Sequence, residues 1–255
     1  MVADGKTPWC MGLESDTADG WPATDWVENL LLGGAGPPMY DRWTFHRIPF
    51  DHPAVARAFE RFGQIPLGDG NLASGAHGAV VSPWWLAQLP MVESDPPQCW
   101  LYHFPSFGSK TLPRGSIGTT TDAFPFPSPR RSNGDVILGG LSTVLVFADR
   151  PEVRGVVRFL ASPEFGQDWF TAGDGAFSAN ARFDSSAYEP AWRRQADVLD
   201  AALAADTFRV DGGDLLPPEV GTDRFWDAMI RYLEEGPDSL DAILTELEAA
   251  WPDDG

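Results

Sequence analysis

Trp9, Glu14 and Trp21 lie close together near the N-terminus, among glycines and further acids. Side chains of these types can hold a sugar, because the apolar C–H face of a pyranose stacks on indole and its hydroxyls pair with carboxylates. We therefore expect these three residues at one edge of a binding cleft. Trp26, which shares helical spacing with Leu30, belongs instead to a buried helix face.

His103 and a glycine pair are further candidates for the wall of this cleft. His103 lies in a short apolar stretch, and Gly139-Gly140 interrupts a longer one. Glycine inside a strand permits a close backbone approach by a ligand or by another strand. The predicted ligand-binding residues are thus Trp9, Glu14, Trp21, His103, Gly139 and Gly140.

Carboxylates could instead perform hydrolytic chemistry. A glycosidase needs two carboxylates at a fixed separation, and the candidates are Glu14, Asp16, Asp25 and Asp214. Because the chain has 37 acidic residues, the presence of such pairs is not informative. A carbohydrate-active enzyme, with Glu14 and a partner acid as catalysts, is therefore the alternative to a binding protein.

Other catalytic motifs are missing from the sequence. The four histidines show no spacing typical of metal ligands. There is no serine-nucleophile motif and no phosphate-binding loop, and the one glycine-rich segment lacks the context of a dinucleotide site. We therefore predict no metal and no cofactor.

The composition excludes several partners. Lys plus Arg is 18 and Asp plus Glu is 37, so the net charge is −19 and a phosphate backbone is repelled. The sequence contains no run of about 18 apolar residues, the length needed to span a membrane directly. The N-terminal MVADGKTPW does not have the pattern of a signal peptide. Cys10 and Cys99 could form one disulfide in an oxidising compartment or remain buried thiols.

The apolar patterns predict a mixed α/β chain that ends in helices. Pro22 and Pro53 mark the starts of two amphipathic helices. Capping patterns at Asp149 and Ser162 predict two more helices. Apolar runs predict strands at residues 7–13, 79–81, 99–104 and 137–147.

Seven segments follow one another in a fixed order along the chain, between Thr7 and Trp251: TPWCMGLES, GWPATDWVENLLL, IPFDHPAVARAFERFG, SDPPQCWLYHFPSF, VLVFADRPEVRGVVRFLASPEFGQDWF, ADTFRVDGGDLLPPEVGTDRFWDAMIRYL and LDAILTELEAAW. As an ordered set they resemble the C-terminal portion of family 1 extracellular solute-binding proteins of ABC sugar transporters. The most similar group is the α-glucoside-binding one.

The resemblance implies a periplasmic-binding-protein-like (type II) α/β fold, in which two lobes close around a ligand. Residues 1–125 would begin the second lobe and residues 180–255 would supply its C-terminal helices. Residues 126–179 would be a crossover and part of the first lobe. The chain would then hold one nearly complete lobe and a fragment of the other, as an N-terminally truncated protein. The apolar run 137–147 would expose an unpaired edge.

The resemblance also implies a function without catalysis. The protein would be the carbohydrate-binding component of an ABC importer, taking a di- or oligosaccharide and working with permease subunits as an extracellular or periplasmic monomer. The resemblance places Cys10 and Cys99 on strands of one lobe, where a disulfide is plausible. A non-functional remnant is, beside the carbohydrate-active enzyme, the other alternative to this binding function.

Overall fold

The computed structural model describes residues 1–130, 133–173 and 175–252, a mixed α/β chain that is mostly helical. The helices are α1 (Trp21–Ala35), α2 (Pro37–Thr44), α3 (Pro53–Gly63), α4 (Gly75–Val81), α5 (Leu89–Val92), α6 (Pro151–Leu160), α7 (Gln167–Thr171), α8 (Pro190–Ala204), α9 (Gly212–Leu215), α10 (Phe225–Glu235) and α11 (Leu240–Ala249). The strands are β1 (Trp9–Cys10), β2 (Leu101–Tyr102), β3 (Ile137–Gly139) and β4 (Phe208–Val210).

The four strands form two parallel pairs. β1 pairs with β2, with Trp9 opposite Leu101, and β3 pairs with β4, with Leu138 opposite Arg209. Parallel strands end on the same side, so the segments that follow β1 and β2 come together there, at the edge where α/β proteins bind ligands. The predicted strands at 7–13 and 99–104 are confirmed in part, because only two residues of each segment form strand pairing.

Three sequence predictions are wrong. Residues 79–81 belong to α4 and not to a strand, because a short apolar run suits either structure. Asp149 does not cap α6, since its carboxylate pairs with the guanidinium of Arg154 and Arg150 holds the capping position. The helix predicted after Ser162 begins only at Gln167.

Helix α1 is the centre of the main core. It packs against α2, α3, α10 and β3, and it buries side chains on most of its circumference, among them Trp26, Val27 and Leu31. Gly20 precedes it with a φ of 98°, and a Cβ there would lie 2.3 Å from the carbonyl oxygen of Trp226. Only glycine fits this close approach of α10, which fixes where α1 begins.

A smaller core lies apart from the main one. It consists of Phe170, Tyr188, Trp192 and Ala196, with Ile117 among the residues packed against it. Segments on both sides of the proposed boundary at residue 180 therefore contribute to it. The lobe boundaries at residues 125 and 179 stay predictions.

A disulfide joins β1 to the segment before β2. Cys10 and Cys99 are bonded, with 5.4 Å between their Cα atoms. Both side chains are buried. The bond therefore ties the last residue of β1 to the segment that leads into β2.

An exposed apolar surface is formed by residues 141–147 and the outer face of α6. Phe147 is 92% exposed and Leu145 74% exposed, and α6 buries none of its residues. Only residues 137–139 of the predicted strand 137–147 pair, because the described residues offer no strand beside the rest. The segment and α6 enclose a depression of about 290 Å³.

We expect this apolar surface to bind a hydrophobic dye such as anilinonaphthalene sulfonate. The double substitution Leu145→Ser and Phe147→Ser should lower the bound fluorescence by about half, because contiguous exposed apolar area binds such probes. Leu203→Ser is the matched control, since Leu203 is also exposed but lies on α8. Equal fluorescence from the double variant and the unmodified protein would contradict the prediction.

Candidate ligand-binding site

Four aromatic side chains form a partly exposed cluster, which we call the aromatic surface: Trp21, Trp84, Phe104 and Phe107. The rings of Trp84 and Phe104 stack with centroids 4.7 Å apart and an interplanar angle of 14°. Trp21 meets Phe104 edge-on at 5.1 Å, and Phe107 meets it edge-on at 5.3 Å. Phe107 is 39% exposed, so part of the surface is open to a ligand.

The segments after β1 and β2 position this surface. Phe104 follows β2, and Glu14 follows β1. The amide of Trp84 donates to the carbonyl of Glu14 at 3.2 Å, and the amide of Glu14 donates to the carbonyl of Ser82 at 3.0 Å. The Tyr102 hydroxyl donates to the carbonyl of Trp84 at 2.8 Å. Hydrogen bonds to residues at the ends of both strands therefore hold Trp84 in place.

A glycine allows the rings to approach. A Cβ on Gly108 would lie 2.2 Å from the ring of Phe104, which is closer than any real Cβ contact. Trp85 lies edge-on to Trp84 at 5.7 Å and is 38% exposed. The apolar area therefore continues beyond the four rings.

Polar groups border the aromatic surface on one side. The Ser15 hydroxyl accepts from Nε1 of Trp21 at 3.0 Å, and Asp19 Oδ1 accepts from the amide of Ser15 at 2.5 Å. Oε1 of Glu14 accepts from the amide of Asp16 at 3.0 Å. Flat apolar rings beside carboxylate and hydroxyl oxygens are the combination that a sugar ring requires.

The structure brings two of the predicted binding residues, Glu14 and Trp21, to the aromatic surface. Trp9 lies elsewhere: its ring packs edge-on against Trp26 at 4.9 Å, at the border of the main core. His103 also packs against Trp26, at 4.3 Å, and its Nε2 lies 3.3 Å from Nδ2 of Asn29. Burial lowers the pKa of His103 to about 3, so its imidazole is neutral at physiological pH.

The glycine pair lies at the end of β3. A Cβ on Gly139 would lie 2.8 Å from the ring of Phe208, so the close neighbour of this glycine is the adjacent strand. Gly140 faces open space. Ligand contacts of Trp9, His103, Gly139 and Gly140 stay predictions.

Sequence reasoning missed Trp84, Phe104 and Phe107 as a group. The Trp84-Trp85 pair was a visible signal, because adjacent residues point different ways and one of them can face a ligand. Phe104 and Phe107 carry no such local signal. Their role depends on contacts with Trp21, which lies far away in the sequence.

A second polar cluster lies beneath α1 and is buried. Both oxygens of the Glu28 carboxylate accept hydrogen bonds: Oε2 from the Tyr40 hydroxyl at 2.6 Å and from the amide of Gly212, and Oε1 from the amide of Gly213 at 3.1 Å. Burial, followed by the charge of Asp211, raises the pKa of Glu28. These bonds fasten α1 to α9.

Asp25, one of the candidate catalytic carboxylates, belongs to this buried cluster. It is only 5% exposed, so it cannot meet a substrate at the surface. Within the part of the chain that the structure describes, no group of three or more histidine, cysteine or acidic side chains could hold a metal ion.

Known proteins with similar sequences or folds are binding proteins. No family model matches the chain. It is 34% identical over 253 residues to the osmoprotective compounds-binding protein GgtB of Synechocystis sp., covering 99% of this chain and 58% of that protein. It is 34% identical over 255 residues to the alpha-glucosides-binding periplasmic protein AglE of Rhizobium meliloti, covering 98% and 54%.

The fold is also that of a solved binding protein. A chitin oligosaccharide binding protein superposes with a TM-score of 0.71 at 16% identity, covering 98% of this chain and 61% of that one. The resemblance to solute-binding proteins is thus confirmed, and so is the periplasmic-binding-protein-like α/β fold. The chain spans little more than half the length of the curated relatives it matches. No described helix is long and apolar enough to cross a membrane.

Proposed function

We propose that this chain provides a carbohydrate-binding surface of a solute-binding protein that serves an ABC importer. The observation that carries the proposal is the Trp84–Phe104 stack with Trp21 edge-on, at the ends of two parallel strands. The names of the relatives support it, because one is described as binding alpha-glucosides and the other as binding osmoprotective compounds.

The ligand we propose is a neutral di- or oligosaccharide. Its apolar ring faces would stack on the aromatic surface, and its hydroxyls would donate to the oxygens of Glu14, Ser15 and Asp19. The net charge of −19 disfavours an anionic ligand. The protein would act without catalysis as an extracellular or periplasmic monomer that delivers its ligand to permease subunits.

Truncation of Trp84 tests the site. Trp84→Ala is expected to weaken binding of maltose, trehalose or sucrose by about tenfold, because loss of ring stacking costs roughly 1 kcal/mol or more. Binding is measured by ligand-observed NMR titration. Trp100→Ala is the control, since Trp100 is a surface tryptophan, 39% exposed, that lies under Lys6, outside the aromatic surface. Equal losses in both variants would contradict the proposal.

The alternative, a carbohydrate-active enzyme, makes a different prediction. In that case the unmodified protein would hydrolyse a glycoside, and Glu14→Gln would abolish the activity while keeping the fold. A binding protein instead returns every sugar unchanged over a long incubation. Chromatography of the sugars after incubation separates the two functions.

A further inference from the structure

Asn29 of α1 and His103, which directly follows β2, meet through their side chains. Nδ2 of Asn29 lies 3.3 Å from Nε2 of His103, and it also donates to the backbone carbonyl of Asp25 at 2.8 Å. Two aromatic rings flank the imidazole, with the centroid of Trp26 at 4.3 Å and that of Phe126, edge-on, at 5.0 Å. A side-chain hydrogen bond therefore joins α1 to the end of β2 among aromatic rings.

The orientation of the Asn29 amide decides which ring nitrogen of His103 carries the proton. If Oδ1 took the place of Nδ2, two acceptor oxygens would face each other at the carbonyl of Asp25. Nδ2 therefore faces His103, and since Nδ2 can only donate, Nε2 of the imidazole accepts. A neutral imidazole that accepts at Nε2 carries its proton on Nδ1.

The surroundings of the ring support this assignment. Nδ1 is buried and has no hydrogen-bond partner among the described residues, so no competing bond there would move the proton. Burial lowers the pKa of His103 to about 3, so the ring is neutral. An imidazolium would also turn its Nε2–H against the hydrogens of the Asn29 amide.

The same two elements meet again at the aromatic surface. α1 begins with Trp21 and carries Asn29 about two turns later, while Phe104 is the residue after His103. Trp21 and Phe104 are in edge-on contact at 5.1 Å. α1 and the end of β2 are thus held together at two points along the helix. A shift of His103 relative to α1 therefore also moves Phe104 relative to Trp21.

We propose that Asn29 and His103 are a positioning pair for the candidate site: the Asn29 amide holds the imidazole with its proton on Nδ1, and this bond sets Phe104 against Trp21. Asn29 acts through His103, and His103 acts through its neighbour Phe104. The inference rests on the proposed function only where it concerns sugar affinity.

Proton–nitrogen correlation spectra of the imidazole rings at neutral pH test the tautomer. Comparison with His103→Gln assigns the His103 signals among those of the four histidines. We expect the proton on Nδ1 in the unmodified protein, and Asn29→Ala should lose this preference, because hydrogen bonds to the ring set the tautomer. Asn71→Ala is the control and should leave the tautomer unchanged, since Nδ2 of Asn71 also donates to a backbone carbonyl, that of Gln64 at the end of α3.

Affinity for maltose, trehalose or sucrose tests the positioning role. We expect Asn29→Ala to weaken binding by about two- to fivefold, because losing one hydrogen bond lowers the fraction of molecules whose site is in place. His103→Gln keeps an acceptor near the position of Nε2 and should bind as the unmodified protein does. His103→Leu keeps the volume without the acceptor and should match Asn29→Ala, while Asn71→Ala should bind normally.

A third measurement needs no sugar. The nuclear Overhauser contact between the rings of Trp21 and Phe104 should weaken in Asn29→Ala and His103→Leu but not in His103→Gln. If no sugar binds to any variant or to the unmodified protein, the proposed function fails, and this contact still decides the inference.

Several results would overturn the inference. A proton on Nε2 in the unmodified protein would contradict the tautomer. Equal losses of affinity in His103→Gln and His103→Leu would show that the acceptor does not matter. An unchanged affinity in Asn29→Ala, or a Trp21–Phe104 contact that neither Asn29→Ala nor His103→Leu weakens, would remove the positioning role.

Discussion

Replacing both Cys10 and Cys99 by alanine is expected to lower the free energy of unfolding by about 4 to 5 kcal/mol. The two cysteines are 89 positions apart, and a bond that closes so long a loop restricts the unfolded chain strongly. Urea unfolding of the oxidised protein and of the double variant, at one pH, measures the difference.

The reducing agent dithiothreitol provides the control. It should lower the urea midpoint of the unmodified protein and leave that of the double variant unchanged. The bond also ties β1 to β2, whose following segments carry Glu14 and Phe104. Loss of the bond should therefore weaken sugar binding along with stability. A double variant that unfolds at the same urea concentration as the oxidised protein would contradict the prediction.

The substitution Glu28→Ala is expected to lower the free energy of unfolding by about 2 to 6 kcal/mol, because each of two buried amide donors left unpaired costs about 1 to 3 kcal/mol. These donors are the amides of Gly212 and Gly213. The Tyr40 hydroxyl can still donate to the carbonyl of Val210, at 3.1 Å. The loss of its bond to Glu28 therefore adds less to the destabilisation. Urea unfolding at one pH again measures the effect.

Two further variants distinguish the effect of losing the buried hydrogen bonds from the effect of merely removing a carboxylate. Glu28→Gln keeps one carbonyl oxygen as acceptor, so its loss of stability should lie between those of Glu28→Ala and the unmodified protein. Glu234→Ala removes an exposed glutamate of α10 and should change the unfolding free energy by less than about 0.5 kcal/mol. Equal effects of Glu28→Ala and Glu234→Ala would show that the buried bonds do not stabilise the fold.

Helix α1 connects the core, the buried hydrogen bonds of Glu28 and the candidate site. Trp21 at its first position belongs to the aromatic surface, and Trp26 on another face lies in the main core. Asp25 and Glu28 follow Trp21 at i+4 and i+7, so they lie along the same side of the helix as Trp21. Glu28 therefore holds α1 against α9 from the side of the helix that carries Trp21.

Local sequence patterns were enough to predict the main helices and the buried role of Trp26. Pro22 and Pro53 lie in the first turn of α1 and α3 because proline has no N–H to lose there. Helical spacing placed Trp26 inside, and its ring is 3% exposed. The ordered segments identified the resemblance to solute-binding proteins, which the relatives confirm.

Only the tertiary structure decided which residues meet. The aromatic surface joins Trp21, Trp84 and Phe104, which are distant in sequence and meet because β1 and β2 end side by side. The bonds from Gly212 and Gly213 to Glu28 likewise depend on α1 packing beside α9. A pattern within a short window reports which face of an element is apolar, but partners across the fold are set by how the elements pack. The sequence by itself thus identified the resemblance to solute-binding proteins and the main helices, and packing decided the composition of the site and the partners of Glu28.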